Sequence, residues 1–328
     1  MLSFGKKMII SLSVVTAIAL SSSANSQITN EKQELTKAKS VLEAYANVAL
    51  VSYSEALNSA KSLKLAIDKF AKNPTQENLN SAKQAWLISR ESYGQTEALR
   101  LSKGPIDAED GWVAEAYGAL EGQINAWPLD ENMIDYTIDE NGKKTSGNII
   151  DTVGVFNPGG EESKEVDVTK ITAEAITALN ENGGEANVAT GYHAIEFLLW
   201  GQDQDYSNFL KDKITKGPMT AGLRSLKDFT TDKNASRRLA YLSASAEKLV
   251  ADLEVITSAW TKEVSGTNGL YQAALKGELT GDNASKNIDS NEALKQIIAG
   301  LGVFVKSELA NERIAVAVLT PSEEDEHS

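Results

Sequence analysis

The chain has 328 residues, enough to bury a large core and to form two domains. Its formal net charge of -14 at pH 7 argues against nucleic acid or anionic lipid as a partner. It contains no cysteine, which excludes disulfide bonds and thiolate metal ligands within this chain. A bound metal would therefore use oxygen and imidazole ligands, which favours iron, manganese, zinc or calcium over copper(I).

The first 26 residues have the pattern of a secretory signal peptide. Lys6 and Lys7 form a short positive region, residues 8–20 form an apolar run too short to span a membrane, and small residues follow. Ala24 or Ser26 stands at the predicted cleavage point. No second apolar run has spanning length, so the sequence predicts a mature protein in the periplasm of a Gram-negative bacterium. An uncleaved signal that acts as a membrane anchor is the alternative.

Helical periodicity dominates the first half of the chain. Apolar residues recur at helical spacing from residue 29 to about residue 72. Asn73-Pro74-Thr75 ends this helix and starts a second, which is predicted to run to about Leu101. Gly104-Pro105 breaks the pattern, and a third helix is predicted over residues 112–125.

A long loop and further helices follow. Residues 137–168 are rich in glycine, asparagine and charge, which predicts an irregular segment. Helical patterning then resumes and predicts longer helices over residues 187–200, 232–263 and 291–318. No alternating pattern is long enough to build a sheet. The prediction is an all-α protein with an N-terminal helical bundle over residues 27–182 and a C-terminal bundle over residues 183–328.

One of the only two histidines stands three residues before a glutamate in an apolar helical run. Residues i and i+3 share one face of a helix, so His193 and Glu196 can reach the same point. An imidazole and a carboxylate that converge in this way can hold a metal in a helical bundle. A hydrogen-bonded pair that only fixes helix packing is the alternative, because two ligands do not complete a metal site.

Several motifs resemble those of the imelysin family. The string from Gly191 to Asp203, Gly-Tyr-His-Ala-Ile-Glu-Phe-Leu-Leu-Trp-Gly-Gln-Asp, resembles the family's Gly-x-His-x-x-Glu signature. Similar elements elsewhere are Trp86, Arg90, Tyr93 and Glu97 on one helix, Gly104-Pro105-Ile106-Asp107, the stretch from Glu121 to Asp130, Ile134-Asp135-Tyr136, the helix from Arg237 to Trp260, and the stretch from Glu308 to Arg313. The resemblance runs from about Gln33 to the end of the chain and points to the iron-regulated branch.

The resemblance implies a secreted or periplasmic protein of two helical bundles, linked to iron uptake and also classed with metallopeptidases. It implies His193 and Glu196 as metal ligands, with iron as the metal and zinc as the alternative. Additional ligands, or residues that orient them, would come from other family-like motifs: Glu97, Asp107, Glu121, Asp130, Asp203 and Arg90. For Arg90 and Glu97, a structural ion pair between bundle helices is the alternative.

The end of the chain is an acidic tail, Glu323-Glu324-Asp325-Glu326-His327-Ser328. It resembles the start of a longer segment of the family, so the resemblance predicts that the C-terminal bundle is truncated. The second histidine, His327, lies in this tail. In a complete chain it would belong to a disordered end.

Three functions fit these patterns, and the first is favoured. The protein would bind iron or a small iron complex in a cleft between two bundles and assist uptake through an inner- or outer-membrane component, without nucleic acid. As a metallopeptidase it would use Glu196 or a nearby carboxylate to activate a metal-bound water. No complete catalytic motif supports this, because both His-Glu-x-x-His and Gly-x-Ser-x-Gly are absent. A binding module for a partner or a polysaccharide, with a purely structural motif, is the third.

Overall fold

The computed structural model describes residues 7–138, 143–202, 222 and 224–319, with the side chains of residues 7–34, 316 and 317 left aside. Its helices are α1 (Lys7–Lys72), α2 (Gln76–Gly94), α3 (Gly111–Tyr117), α4 (Glu121–Ile124), α5 (Glu131–Ile134), α6 (Ala173–Leu179), α7 (Gly191–Trp200), α8 (Ala235–Ala259), α9 (Leu270–Leu275), α10 (Ser290–Val303) and α11 (Val316–Leu319). A π-helix (Phe304–Ala315) joins α10 to α11, and 3₁₀ helices cover Glu97–Leu99, Leu226–Phe229 and Gly281–Lys286.

In the described ranges, the strands are the short antiparallel pair β1 (Val155–Phe156) and β2 (Val166–Asp167). The prediction of an all-α fold built from helical bundles is therefore confirmed. The division into bundles at residue 182 stays a prediction. The apolar core of the described residues is mainly one cluster, which extends from α1 to α10.

The first two helices form the frame of this core. α1 ends at Lys72, and the Thr75 side chain then accepts a hydrogen bond from the backbone N–H of Asn78 (3.3 Å) to start α2. α1 packs against both α2 and α8. It does so along one stripe of buried residues at helical spacing, Leu42, Ala46, Ala49, Tyr53, Ala56, Ala60, Leu63 and Ile67.

α1 also contains most of the predicted signal segment, and the signal peptide itself stays a prediction. Within the ranges that the structure describes, no helix is both long and apolar enough to cross a bilayer.

The structure differs from the predicted elements at several boundaries. The second helix stops at Gly94 rather than near Leu101, and a 3₁₀ turn follows it. The predicted helix over residues 112–125 is two helices, α3 and α4. α3 ends at Gly118, whose φ of 83° lies in the left-handed region that favours glycine. The last predicted helix is continuous, but its middle is a π-helix.

A single arginine orders much of the segment predicted as a long loop. The Arg237 guanidinium, at the start of α8, donates hydrogen bonds to the backbone carbonyls of Ile149, Ile150, Thr152 and Val168. A guanidinium offers five N–H donors in a fixed fork, so one side chain can satisfy several loop carbonyls. Arg237 thereby ties these parts of the loop to the start of α8.

A buried ion cluster joins α5, α8 and the residues that follow α7. The Asp135 carboxylate accepts hydrogen bonds from Arg224 Nη1 (2.7 Å) and from Arg238 Nε and Nη2 (2.6 and 3.0 Å). Asp135 and Arg224 are each 1% exposed at the side chain, and Arg238 is 3% exposed. Arg224 also reaches the Phe197 carbonyl (3.4 Å), and its backbone N–H donates to the Trp200 carbonyl (2.8 Å). The cluster therefore fixes the end of α7.

Removal of the Asp135 charge should destabilise the protein strongly. Asp135→Asn leaves the buried Arg224 guanidinium without its anion and leaves Arg238 with Asp232 alone, and the loss of one partner of a buried ion pair costs about 3 kcal/mol or more. The free energy of unfolding in urea, followed by circular dichroism, measures this cost. Asp68→Asn is the control, because Asp68 pairs with Lys64 on the surface of α1, where such a pair contributes about 0.5 kcal/mol. Equal effects of the two substitutions would contradict the assigned role of the cluster.

Candidate functional site

The helix that carries His193 and Glu196 lies in the core. α7 packs against α2 and α8, and its residues Tyr192, Ala194, Ile195, Leu198 and Leu199 are fully buried. It begins at Gly191, where φ is 81° and a Cβ atom would lie 2.3 Å from the Ile124 carbonyl oxygen. Only glycine fits this close approach between α7 and α4. The contact sets the depth of α7, so that His193 and Glu196 come to the surface.

His193 and Glu196 lie side by side, as their spacing predicts. His193 Nδ1 is 3.2 Å from Glu196 Oε2, and the side chains are 18% and 42% exposed. The Trp127 ring lies against the imidazole, with ring centroids 4.8 Å apart. The pair is thus reachable from solvent and bordered by an aromatic side chain. The sequence placed Trp127 in a family-like stretch but gave no signal of this contact.

Tyr192, which precedes His193 on α7, belongs to a second polar cluster. The Trp86 indole N–H donates to the Tyr192 carbonyl (2.9 Å), and the Tyr192 hydroxyl is 2.9 Å from the Ser89 hydroxyl. The Arg90 guanidinium lies over the rings of Tyr93 (5.6 Å) and Tyr192 (5.8 Å). These contacts connect the histidine motif to the Trp86–Glu97 motif through Tyr192, not through His193.

The Glu97 carboxylate forms ion pairs with two arginines. Arg90 Nη1 lies 3.4 Å from Glu97 Oε1, and Arg313 Nη1 lies 2.5 Å from Oε2. The Glu97 side chain is only 4% exposed. The two family-like motifs that contain Glu97 and Arg313 therefore meet here. The distance between Arg90 and Glu97 is that of an ion pair, which is the alternative given for these two residues in the sequence analysis. Arg313 is a further partner of Glu97 that the sequence did not indicate.

The other carboxylates named from the sequence also have local partners. Asp107 accepts hydrogen bonds from the backbone N–H groups of Leu101 and Gly104, and burial raises the pKa of its carboxyl group. Glu121 lies 3.2 Å from Arg100 Nη1. Asp130 is exposed and caps α5 by accepting a hydrogen bond from the Met133 backbone N–H (3.3 Å). Each of these carboxylates thus has a partner of its own, and its role as an additional metal ligand stays a prediction.

The structure therefore confirms contact between His193 and Glu196 but does not bring the other named carboxylates to them. Among the described residues, no group of three or more histidine, aspartate and glutamate side chains is arranged to hold a metal ion. Asp203 and His327 lie outside the described residues. Within the described ranges, the motif supplies one nitrogen and one carboxylate donor and leaves any further positions to solvent or to a ligand.

A family model described as imelysin matches residues 49–328. The chain belongs to the imelysin family. The match covers most of the chain, including the Gly-x-His-x-x-Glu motif, the Trp86–Glu97 motif and the Arg313 segment. The resemblance that the motifs indicated is thereby confirmed.

A solved structure shares this fold. It is an iron-regulated protein A precursor from Parabacteroides distasonis, with a TM-score of 0.51 and 20% sequence identity, over 87% of this chain. The chain spans 64% of the length of that protein. No curated protein matches this imelysin at the significance required. At this identity the likeness establishes the helical architecture, and the iron-regulated description is that of the neighbour.

The raised pKa of Asp107 should give stability a distinctive pH dependence. Burial raises this pKa above its usual value of 3.8, so the group's contribution is fully present below 3.8 and is lost as pH rises through the raised value. The free energy of unfolding of the parent minus that of Asp107→Asn should therefore fall as the pH rises from below 3.8 to neutral.

Asp167 offers a control of opposite sign. Hydrogen bonds from the Thr169 side chain and backbone lower the pKa of Asp167, so its contribution is present above 3.8 and is lost as pH falls. The corresponding difference for Asp167→Asn should rise over the same pH range. Urea unfolding at several pH values measures both differences, and the same sign for both would contradict the assignment.

Proposed function

We propose that this imelysin-family protein binds iron through His193 and Glu196 and acts in iron uptake in the periplasm. The observation that carries the proposal is the accessible pair of donors, His193 Nδ1 and Glu196 Oε2, held 3.2 Å apart on a buried helix. A nitrogen and a carboxylate oxygen suit iron, and the chain has no cysteine to select a softer metal. The bound metal would supply a Lewis-acidic centre at this surface.

The surroundings of the pair favour a cationic ligand. The chain carries a net charge of -14, which attracts cations to its surface. Glu97, Asp107 and Glu121 contact arginines or backbone N–H groups, so they support the fold and leave the metal to the His193 motif. The predicted signal peptide would deliver the protein to the periplasm, where an inner- or outer-membrane uptake component would be its partner.

A metallopeptidase is the competing function, because the family is also classed with metallopeptidases. Such an enzyme would hold zinc at the same pair and would activate a bound water with a carboxylate. Because the described residues offer no third histidine or carboxylate beside the pair, iron binding with open positions fits the geometry better.

Metal content tests the proposal. The signal-free protein is exposed to iron or zinc, desalted and analysed for metal per chain. We expect about one iron in the parent and a loss of most of it in both His193→Ala and Glu196→Gln, because a two-donor site cannot spare either donor. His327→Ala is the matched control and should keep its iron.

Two other outcomes would contradict the proposal. Equal iron in the parent and in His193→Ala would place the metal elsewhere. Stoichiometric zinc without iron, together with chelator-sensitive cleavage of a peptide that His193→Ala fails to cleave, would favour the peptidase.

A further inference from the structure

Trp127 is the one exposed tryptophan among the five of this chain. Its side chain is 41% exposed, whereas Trp86 and Trp260 are buried and Trp112 and Trp200 are half-buried. Indole rings bury large areas and dominate binding contacts, so a tryptophan left in solvent beside a polar pair is typical of a ligand platform. Its ring touches the His193 imidazole, with centroids 4.8 Å apart and planes inclined by 57°. One edge of the candidate metal site is therefore aromatic and accessible.

The two donor atoms have the spacing of adjacent positions on one metal ion. With metal–ligand bonds of about 2.1 Å, two donors at a right angle lie about 3 Å apart. His193 Nδ1 and Glu196 Oε2 are separated by 3.2 Å. A porphyrin offers only the two opposite axial positions of its iron, which face away from each other. The pair therefore suits an iron complex that leaves two neighbouring positions free, and it does not suit haem.

The residues that the structure describes would leave most positions on an octahedral ion to other donors. In the described part of the chain, no further histidine, aspartate or glutamate joins the pair in a metal-binding group. An iron(III) ion held by two donors alone would, unlike iron(II), hydrolyse in neutral water unless other ligands filled its shell. A small chelator that supplies the remaining donors would solve this problem, and its flat face could lie on Trp127.

Charge selects among the chelators with aromatic rings. The half-exposed Glu196 carboxylate and the net charge of -14 disfavour anionic complexes. Catecholate rings carry two negative charges each, so two of them make the iron(III) complex anionic. Hydroxypyridinone rings carry one each, so two of them leave the complex singly positive. The second class therefore matches both the aromatic platform and the charge.

We propose that the His193–Glu196 site takes iron(III) already bound by an aromatic, singly charged, bidentate chelator, and that Trp127 stacks on the chelator ring. The proposal rests on the iron-binding function proposed above and names the ligand of that same site. Two waters leave the complex as the imidazole nitrogen and the carboxylate oxygen replace them, so the iron keeps its oxidation state. Trp127 is then the residue that selects the chelator.

Two iron complexes separate the stacking contribution from iron binding. Iron(III) with two hydroxypyridinone ligands is compared with iron(III) with two acetohydroxamate ligands, which has the same charge and oxygen donors but no aromatic ring. Affinities are measured by equilibrium dialysis with radioactive iron. We expect the parent to bind the aromatic complex about three- to tenfold more tightly, the range that one aromatic contact supplies.

Substitutions at the platform and at the metal-binding pair should act differently. Trp127→Leu should remove the preference for the aromatic complex, so that the ratio of the two affinities falls to about one. Trp127→Phe, which keeps a ring, should restore most of the preference. His193→Ala should weaken binding of both complexes. Thermal unfolding checks that each variant is folded. If Trp127→Leu does not fold, Trp127→Phe still tests the role of the aromatic ring.

The outcomes distinguish the two proposals. Equal affinity of the parent for both complexes, with no change in Trp127→Leu, would overturn the role of Trp127 and leave iron binding intact. Tighter binding of haemin than of either complex would overturn the inference from the donor spacing. Failure of the parent to hold iron in either form would overturn the proposed function, and this inference with it.

Discussion

The contact between one buried carboxylate and two buried arginines holds the centre of this structure together. Asp135 lies between Arg224 and Arg238, with all three side chains almost without solvent exposure. Charges in such a place need partners and full hydrogen bonding, because desolvation would otherwise exceed their attraction. Arg238 also donates to Asp232 (2.7 Å), and Arg224 binds the carbonyls at the end of α7. The position of α7 therefore depends on this cluster.

The depth of α7 determines what its polar residues can do. At its start, Gly191 lies against the carbonyl of Ile124, and at its end Arg224 binds its last carbonyls. Between these anchors most side chains enter the core. His193 and Glu196 emerge beside Trp127, partly accessible, while Tyr192 turns inward to Ser89. The same ten-residue helix thus supplies a packing surface and a candidate ligand pair.

The carboxylates of this fold divide into two kinds. Glu97, Glu121 and Asp107 contact arginines or backbone N–H groups, and through Arg313 the Glu97 carboxylate joins two distant segments of the chain. Among the described residues, the Glu196 carboxylate contacts the His193 imidazole. It is half-exposed and remains available to a ligand. This division concentrates the proposed chemistry at one pair and its aromatic neighbour.

The sequence by itself determined the helical class and the contact between His193 and Glu196, because both depend on local spacing along the chain. A three-residue separation on a helix brings two side chains together whatever the tertiary structure is. The contact of Glu97 with Arg313 and the partners of Asp135 were decided only by the tertiary structure. Arg313 lies 216 residues from Glu97, and Arg238 lies 103 residues from Asp135. Helical periodicity carries no information on contacts between residues so far apart in the chain, so only the packing of the helices decided which arginines these carboxylates meet.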